Sequence, residues 1–297
     1  MKNKLKRTLQ ISTILSFAFL AIACNDNDEQ PEPSQTEANL IIKLDVDPNQ
    51  LRLGNTGNPS QVPEGNAAQD PNFNSISAHY LEFAPDAFTP LGEGEILYHA
   101  PETTAGGDNA IDFDESITIE PGEIFLSIPL KNINPGNYEW VRLSLSYQNL
   151  DAKVHYEGNP YEVTIAGFVG FNTYISSFRV KNENVEVNDD KLQGFFAFES
   201  LAGVSTGQVP PGGITVPNPI FETSPIPQGS CVVTGEFSNP LIISGNENED
   251  ITVVMSLSTN KSFEWEDLNS NGKWDIGGEN SEPVVDMGLR GLIPKVE

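Results

Sequence analysis

The densest set of potential ligands lies near the C-terminus, in Asp267-Leu268-Asn269-Ser270-Asn271-Gly272-Lys273-Trp274-Asp275. Oxygen-bearing side chains recur at alternate positions, Asp267, Asn269 and Asn271, and a glycine follows them. That spacing lets the oxygens converge on one cation, while Gly272 permits the sharp turn between them. Calcium is the expected ion, because it is a hard cation that takes about six to eight oxygens in flexible geometry. Lys273 would contribute its main-chain carbonyl, and Asp275 a direct or water-mediated contact. A bidentate carboxylate should close the shell, but Gly278 stands at that place and Glu279 comes one residue late. Closure would then fall to Glu279, Glu282 or Asp286 folding back. Without it, affinity would be of the order of 10⁻⁴ to 10⁻³ M.

The stretch from Asp267 to Glu279 resembles the calcium loops of EF-hand-like and dockerin-like proteins, and the resemblance extends no further. Its flanks, Ser262-Phe263-Glu264-Trp265 and Val284-Val285-Asp286, read as strand or coil rather than helix. The same residues also read as a plain turn. Asn271-Gly272 is a strong two-residue hairpin signal, and Trp265 and Trp274 could pair across it. In the calcium reading, with the loop spanning 267–286, the ion is structural rather than catalytic.

Other chemistry is sparse. His79, His99 and His155 are the three histidines, each on a strand-like segment among aromatics, and no two have ligand spacing. A copper or zinc site would need the fold to bring them together, with Met255 or Met287 as soft partners. There is no G-x-S-x-G elbow, no H-E-x-x-H and no usable Cys-His spacing. Asp108, Asp112, Asp114 and Glu115 read as a solvated acidic face, since a glycosidase pair is not visible in sequence. The leading expectation is a non-catalytic binding, adhesion or accessory role. The alternatives are a glycan hydrolase or glycan-binding protein, and a metal or small-molecule capture protein serving a transporter.

The N-terminus indicates where such a protein would work. Lys2, Lys4, Lys6 and Arg7 precede an apolar run from Ile11 to Ala23, which ends in small residues before Cys24. A positive start and a short apolar run describe a secretory signal, because a membrane span needs about 20 apolar residues. The residues before Cys24 resemble a bacterial lipobox, which implies cleavage after residue 23 and acylation of Cys24. Anchoring chains such as palmitate contribute about 0.8 kcal/mol per buried CH₂, and stable attachment needs at least two of them. The acidic cluster Asn25-Asp26-Asn27-Asp28-Glu29 resembles the export tag of surface lipoproteins of Bacteroidota, implying lipid attachment to the outer membrane at the cell surface. Residues 24–38, polar with Pro31 and Pro33, read as a flexible, disordered acidic tether.

Residues 39–297 must then supply the folded domain. With 42 acidic and 16 basic residues, the formal charge is −26. Such a surface repels nucleic acid, so a nucleic-acid partner is excluded; a glycan or an envelope protein suits it better. Cys24 and Cys231 are the only cysteines, so an acylated Cys24 leaves no disulfide framework, and Cys231 reads as a small buried hydrophobe. Strands are expected at Leu40–Leu44, Ser75–Phe83, Glu95–His99, Ser116–Ile119 and Ile124–Ile128, the last two forming a hairpin across Glu120-Pro121-Gly122-Glu123. Tyr138–Tyr147 alternates as a half-buried strand, with Val141, Leu143, Leu145 and Tyr147 inward. Lys153–Tyr156, Tyr161–Phe168, Tyr174–Val180, Phe195–Phe198, Cys231–Phe237, Leu241–Ile243 and Ile251–Leu257 continue the pattern. Long loops are expected at 48–74 and 204–230. No apolar helical repeat is sustained, so the class is all-β: an antiparallel β-sandwich or jelly-roll-like domain.

Overall fold

The computed structural model describes residues 37–54, 58–209, 225, 230–278, 281–287 and 289–297. Cys24, Glu279 and most of the 204–230 segment lie outside the described residues. Among those described, the extended elements are all β-strands, and a 3-10 turn stands at Leu130–Asn132.

One sheet runs in the order β20 (Arg290–Val296), β16 (Ile251–Ser258), β1 (Asn39–Asp47), β8 (Ile124–Pro129). A larger sheet runs β14 (Gly203–Gln208), β13 (Phe195–Ser200), β10 (Asn159–Phe168), β9 (Gly136–Tyr156), β3 (Asn72–Ala84), β4 (Glu95–His99). In it, β15 (Cys231–Ile243) and β18 (Asp275–Ile276) also pair with β9, and β7 (Thr118–Ile119) pairs with β3. Two smaller sheets are β12 (Asn184–Leu192), β11 (Asn172–Arg179), β6 (Ala110–Asp112), β5 (Glu102–Thr103), and β19 (Val284–Asp286), β17 (Phe263–Glu266), β2 (Asn66–Gln69).

Alternation explains how the layers meet. Leu40, Ile42 and Leu44 of β1 and Val253, Met255 and Leu257 of β16 share one core with Leu81 and Phe83 of β3 and Val141, Leu143 and Leu145 of β9. Two mainly antiparallel sheets thus bury their inner faces against each other, the sandwich arrangement expected from the sequence. Each fully buried Leu, Ile, Val or Phe contributes about 1.5 to 3 kcal/mol, so this shared face dominates the stability of the domain. Ala38, just before β1, already packs in that core. Cys231 is half-buried and packs against it.

The central strand departs from expectation in an informative way. Tyr138–Tyr147 and Lys153–Tyr156 are parts of one 21-residue strand, β9. Residues 141–150 are buried without interruption, and a second apolar cluster around Phe168, Ile175 and Phe178 takes up Tyr147 on the other face. Tyr147 belongs to that second cluster and not to the face of Leu145. The cause is a β-bulge: Ser77 pairs with Tyr147 and Ala78 with Leu145, so Ser146 has no opposite number and the side-chain phase shifts. A second bulge follows on β3, where Ala78 pairs with Leu145 and Tyr80 with Ser144, leaving His79 as the extra residue. Hence Ile76 and Ala78, but then Leu81 and Phe83, face the main core.

Other expectations shift for similar reasons. The 120–123 turn is present, with Glu123 N–H donating to the Glu120 carbonyl at 3.2 Å, yet its flanks are not hairpin partners: β7 joins β3 and β8 joins β1. Val204–Gln208 is not loop but most of β14, paired with β13. Cys231–Phe237 and Leu241–Ile243 are one strand interrupted by an irregularity after Glu236. The 48–74 segment contains β2.

Candidate functional site

β17 leads into the 267–275 loop and is firmly placed by charge. Glu264 accepts from Arg52 and, at 2.6 Å, from the Asn66 side chain, and Arg52 also donates to the Lys261 carbonyl at 2.7 Å. Asp267 N–H then donates to the Gly65 carbonyl at 3.0 Å. From that point the Asp267 carboxylate folds back over its own loop. Its Oδ1 accepts Asn271 N–H at 3.0 Å and its Oδ2 accepts Gly272 N–H at 2.8 Å. Ser270 and Gly272 take φ values of 56° and 70°, the left-handed conformation that makes so tight a turn and that glycine adopts at no steric cost.

Three oxygen-bearing side chains meet on this turn. The Asn269 and Asn271 amides both donate to Asp275 Oδ2, at 2.8 and 2.7 Å. The Asn269 amide, opposed by burial and aided by Asn271, His155 and Lys273, holds the Asp275 carboxyl below its usual range. Asn269 Oδ1 accepts Asn271 N–H at 3.1 Å and Asn271 Oδ1 accepts Lys273 N–H at 2.7 Å. Turning either amide over presents oxygen toward the position of Asp275, at the cost of that backbone contact. Asp267, Asn269, Asn271 and Asp275 therefore occupy one tight turn.

The expected closing groups divide. Glu282 is buried, and its Oε1 accepts Leu268 N–H at 3.0 Å while its Oε2 accepts Asp275 N–H at 2.9 Å. Both oxygens are committed to the backbone at the two ends of the loop, so Glu282 braces the turn. Asp286 is buried in β19, its backbone opposite Glu264. Lys273 is exposed at the tip of the loop. The plain hairpin reading is corrected: β17 pairs with β2 and β19, whereas β18 pairs with β9, so the loop links two sheets. Trp265 and Trp274 are both core residues; the Trp274 ring packs on Phe263 at 4.7 Å, and its Nε1–H donates to the Glu282 carbonyl at 3.2 Å.

The histidines, lacking any ligand spacing in sequence, are partly gathered by strand pairing. His79 sits at the β3 bulge and His99 ends β4, whose backbone pairs with Tyr80. Ala100 and Pro101 link β4 directly to β5, which Glu102 begins. His79 Nε2 lies 3.0 Å and His99 Nε2 3.3 Å from Glu102 Oε1, and the three ligand atoms fall within 4.8 Å of one another. The His79 side chain is 0 % exposed, His99 40 % and Glu102 25 %. Burial holds the His79 imidazole below its usual pKa and so neutral, outweighing its hydrogen bond to Glu102. The His79 contact, opposed by burial and aided by Asn109, draws the Glu102 carboxyl down to about 2. Phe171 packs on the His79 ring at 5.2 Å and Asn109 donates to Glu102 Oε2 at 2.7 Å.

His155 lies elsewhere, opposite Asp275. Met255 is buried in the main core and Met287 packs against that core, so both serve packing. Asp108 and Asp112 serve turns: Asp108 N–H donates to Asp190 Oδ2 and Asp112 Oδ1 accepts Asp114 N–H, both at 3.2 Å, while Asp114 and Glu115 are exposed.

A buried ionic network fixes the link between β3 and β4, and with it the spacing of His79 and His99. Glu82 accepts from the Tyr80 hydroxyl at 2.6 Å, Gly92 N–H at 2.7 Å, Gly94 N–H at 3.0 Å and Arg142 Nη1 at 3.2 Å. A Cβ on Gly94 would stand 2.3 Å from the Phe83 carbonyl oxygen, so only glycine allows this approach. Comparison with known protein families, with curated proteins and with solved structures finds no match to this chain.

Proposed function

We propose that this chain is a lipid-anchored protein of the outer cell envelope, held to the outer membrane through Cys24, with a calcium-stabilised β-sandwich that acts without catalysis. Its work is binding or adhesion at the cell surface, toward a glycan or another envelope protein. The observation that carries the calcium reading is the 267–275 turn. Asp267 reaches back to two backbone N–H groups at positions five and six of the loop, Gly272 takes a positive φ, and Asn269, Asn271 and Asp275 converge. A calcium ion would replace the hydrogen bonds among these side chains with direct oxygen coordination. Anchorage is supported by the order of charged, apolar and small residues up to Cys24 and the acidic stretch after it.

Two assays test the two halves separately. Metabolic labelling with a fatty-acid probe should mark the mature protein and fail with Cys24→Ala; an unlabelled wild-type protein overturns the anchor. Chelation should lower the melting temperature, and Asp267→Ala should remove the difference between calcium-loaded and chelated protein. Equal melting of the wild-type protein with and without calcium overturns the site.

A further inference from the structure

We propose that His79, His99 and Glu102 form a second, independent metal site, taking a single divalent transition-metal ion of the zinc class. Two imidazole nitrogens and one carboxylate oxygen suit zinc and its neighbours, whereas calcium prefers oxygen alone. Distance agrees. Bonds of about 2.0 to 2.1 Å arranged tetrahedrally put neighbouring ligand atoms about 3.3 Å apart. Glu102 Oε1 is 3.0 Å from His79 Nε2 and 3.3 Å from His99 Nε2. Two of the three pairs thus stand near the tetrahedral spacing, and all three ligand atoms lie within 4.8 Å of one another, so side-chain rotation closes the set on one ion.

The surroundings also have the features of a built site. His79 is the unpaired residue of a β-bulge, a device that re-aims a side chain at the expense of regular pairing. It lies at the base, sealed from solvent. His99 and Glu102 form a rim through which an ion can enter, and Asn109 fixes the far carboxylate oxygen at 2.7 Å, as outer partners of metal ligands do. Three protein ligands leave a fourth, solvent-facing position for water or a captured small molecule.

The test is calorimetric titration of zinc chloride into the metal-stripped full domain, with calcium kept saturating so that the 267–275 loop does not compete. One ion per chain should bind. His99→Gln and Glu102→Gln, at partly exposed positions, should each weaken binding at least about tenfold, and Asn109→Ala by about tenfold. Circular dichroism establishes that each variant is folded. Cobalt loaded in place of zinc should give the intense visible absorption of a tetrahedral site, lost in His99→Gln. Absence of saturable zinc binding by the wild-type protein overturns the proposal, leaving His79 and Glu102 as a hydrogen-bonded strut. So does unchanged zinc binding in folded His99→Gln and Glu102→Gln variants.

Discussion

Replacing Glu82 with glutamine should be among the most damaging conservative changes in the domain. Glu82 is 0 % exposed, and its partner Arg142 is 9 % exposed on the side chain. The carboxylate receives four donors: the Tyr80 hydroxyl, two glycine N–H groups and the Arg142 guanidinium. An amide of the same shape can accept at only one end, so its NH₂ must face groups that are themselves donors. Arg142 would retain its bond to the Thr89 carbonyl but lose its counter-charge inside the protein. Breaking a buried pair on one side costs about 3 to 5 kcal/mol, because a charge is left uncompensated. For a domain of this size that corresponds to a melting temperature lower by about 6 to 20 °C. Equilibrium urea unfolding of Glu82→Gln measures the loss. The double variant Glu82→Gln/Arg142→Met, which also removes the orphaned charge, should recover part of it. A Glu82→Gln variant within about 1 kcal/mol of wild type would refute the reasoning, since it would mean that Arg142 is well solvated in the folded state.

Glu199 supplies a pH-dependent prediction. Burial pushes its carboxyl upward, but the N–H groups of Lys181, Glu183 and Asn182 and the Asn182 amide, at 2.9 to 3.2 Å, outweigh that and hold it below its usual value. A depressed folded pKa gives stability that is present above the unfolded value and lost as pH falls through the folded one. Glu199→Gln should therefore cost about 1.5 to 3 kcal/mol near neutrality, and the variant's stability should decline less than that of wild type below about pH 4.5, as read from urea midpoints across pH. Calcium at about a hundredfold excess over its dissociation constant should stabilise the domain by about 2.7 kcal/mol, raising the melting temperature in scanning calorimetry by about 5 to 11 °C. Asp275→Asn, which removes the charge on which both loop amides converge, should abolish that increment. Cys24→Ala should move the protein from the membrane to the soluble fraction on ultracentrifugation.

The fold class was legible because β-branched and aromatic runs end in Gly, Pro and Asn turns, and Glu95–His99 is a strand with the bounds read from sequence. Pairing was not legible. The 120–123 turn has hairpin chemistry, yet tertiary packing sends its two flanks to different sheets. Nor were the bulges: nothing local marks Ser146 or His79 as extra residues, and each shifts the side-chain phase of everything after it. β12 was missed because Asn184–Leu192 is polar and largely exposed, so it carries little apolar signal. The loop of Asp267, Asn269 and Asn271 was visible because its oxygen-bearing residues are close together in the chain. His79 and Glu102 were not, because their meeting depends on the register of β3 and β4, which only the folded chain defines. The i,i+3 spacing of His99 and Glu102 was the one trace in the sequence.

The most direct measurement of the central claim is calorimetric titration of calcium into the metal-stripped domain, alongside Asp267→Ala. One calcium per chain should bind at the 267–275 loop, with a dissociation constant of the order of 10⁻⁴ M, and none should bind there in the variant. A flat titration of the folded wild-type domain, or equal binding by Asp267→Ala, would contradict it.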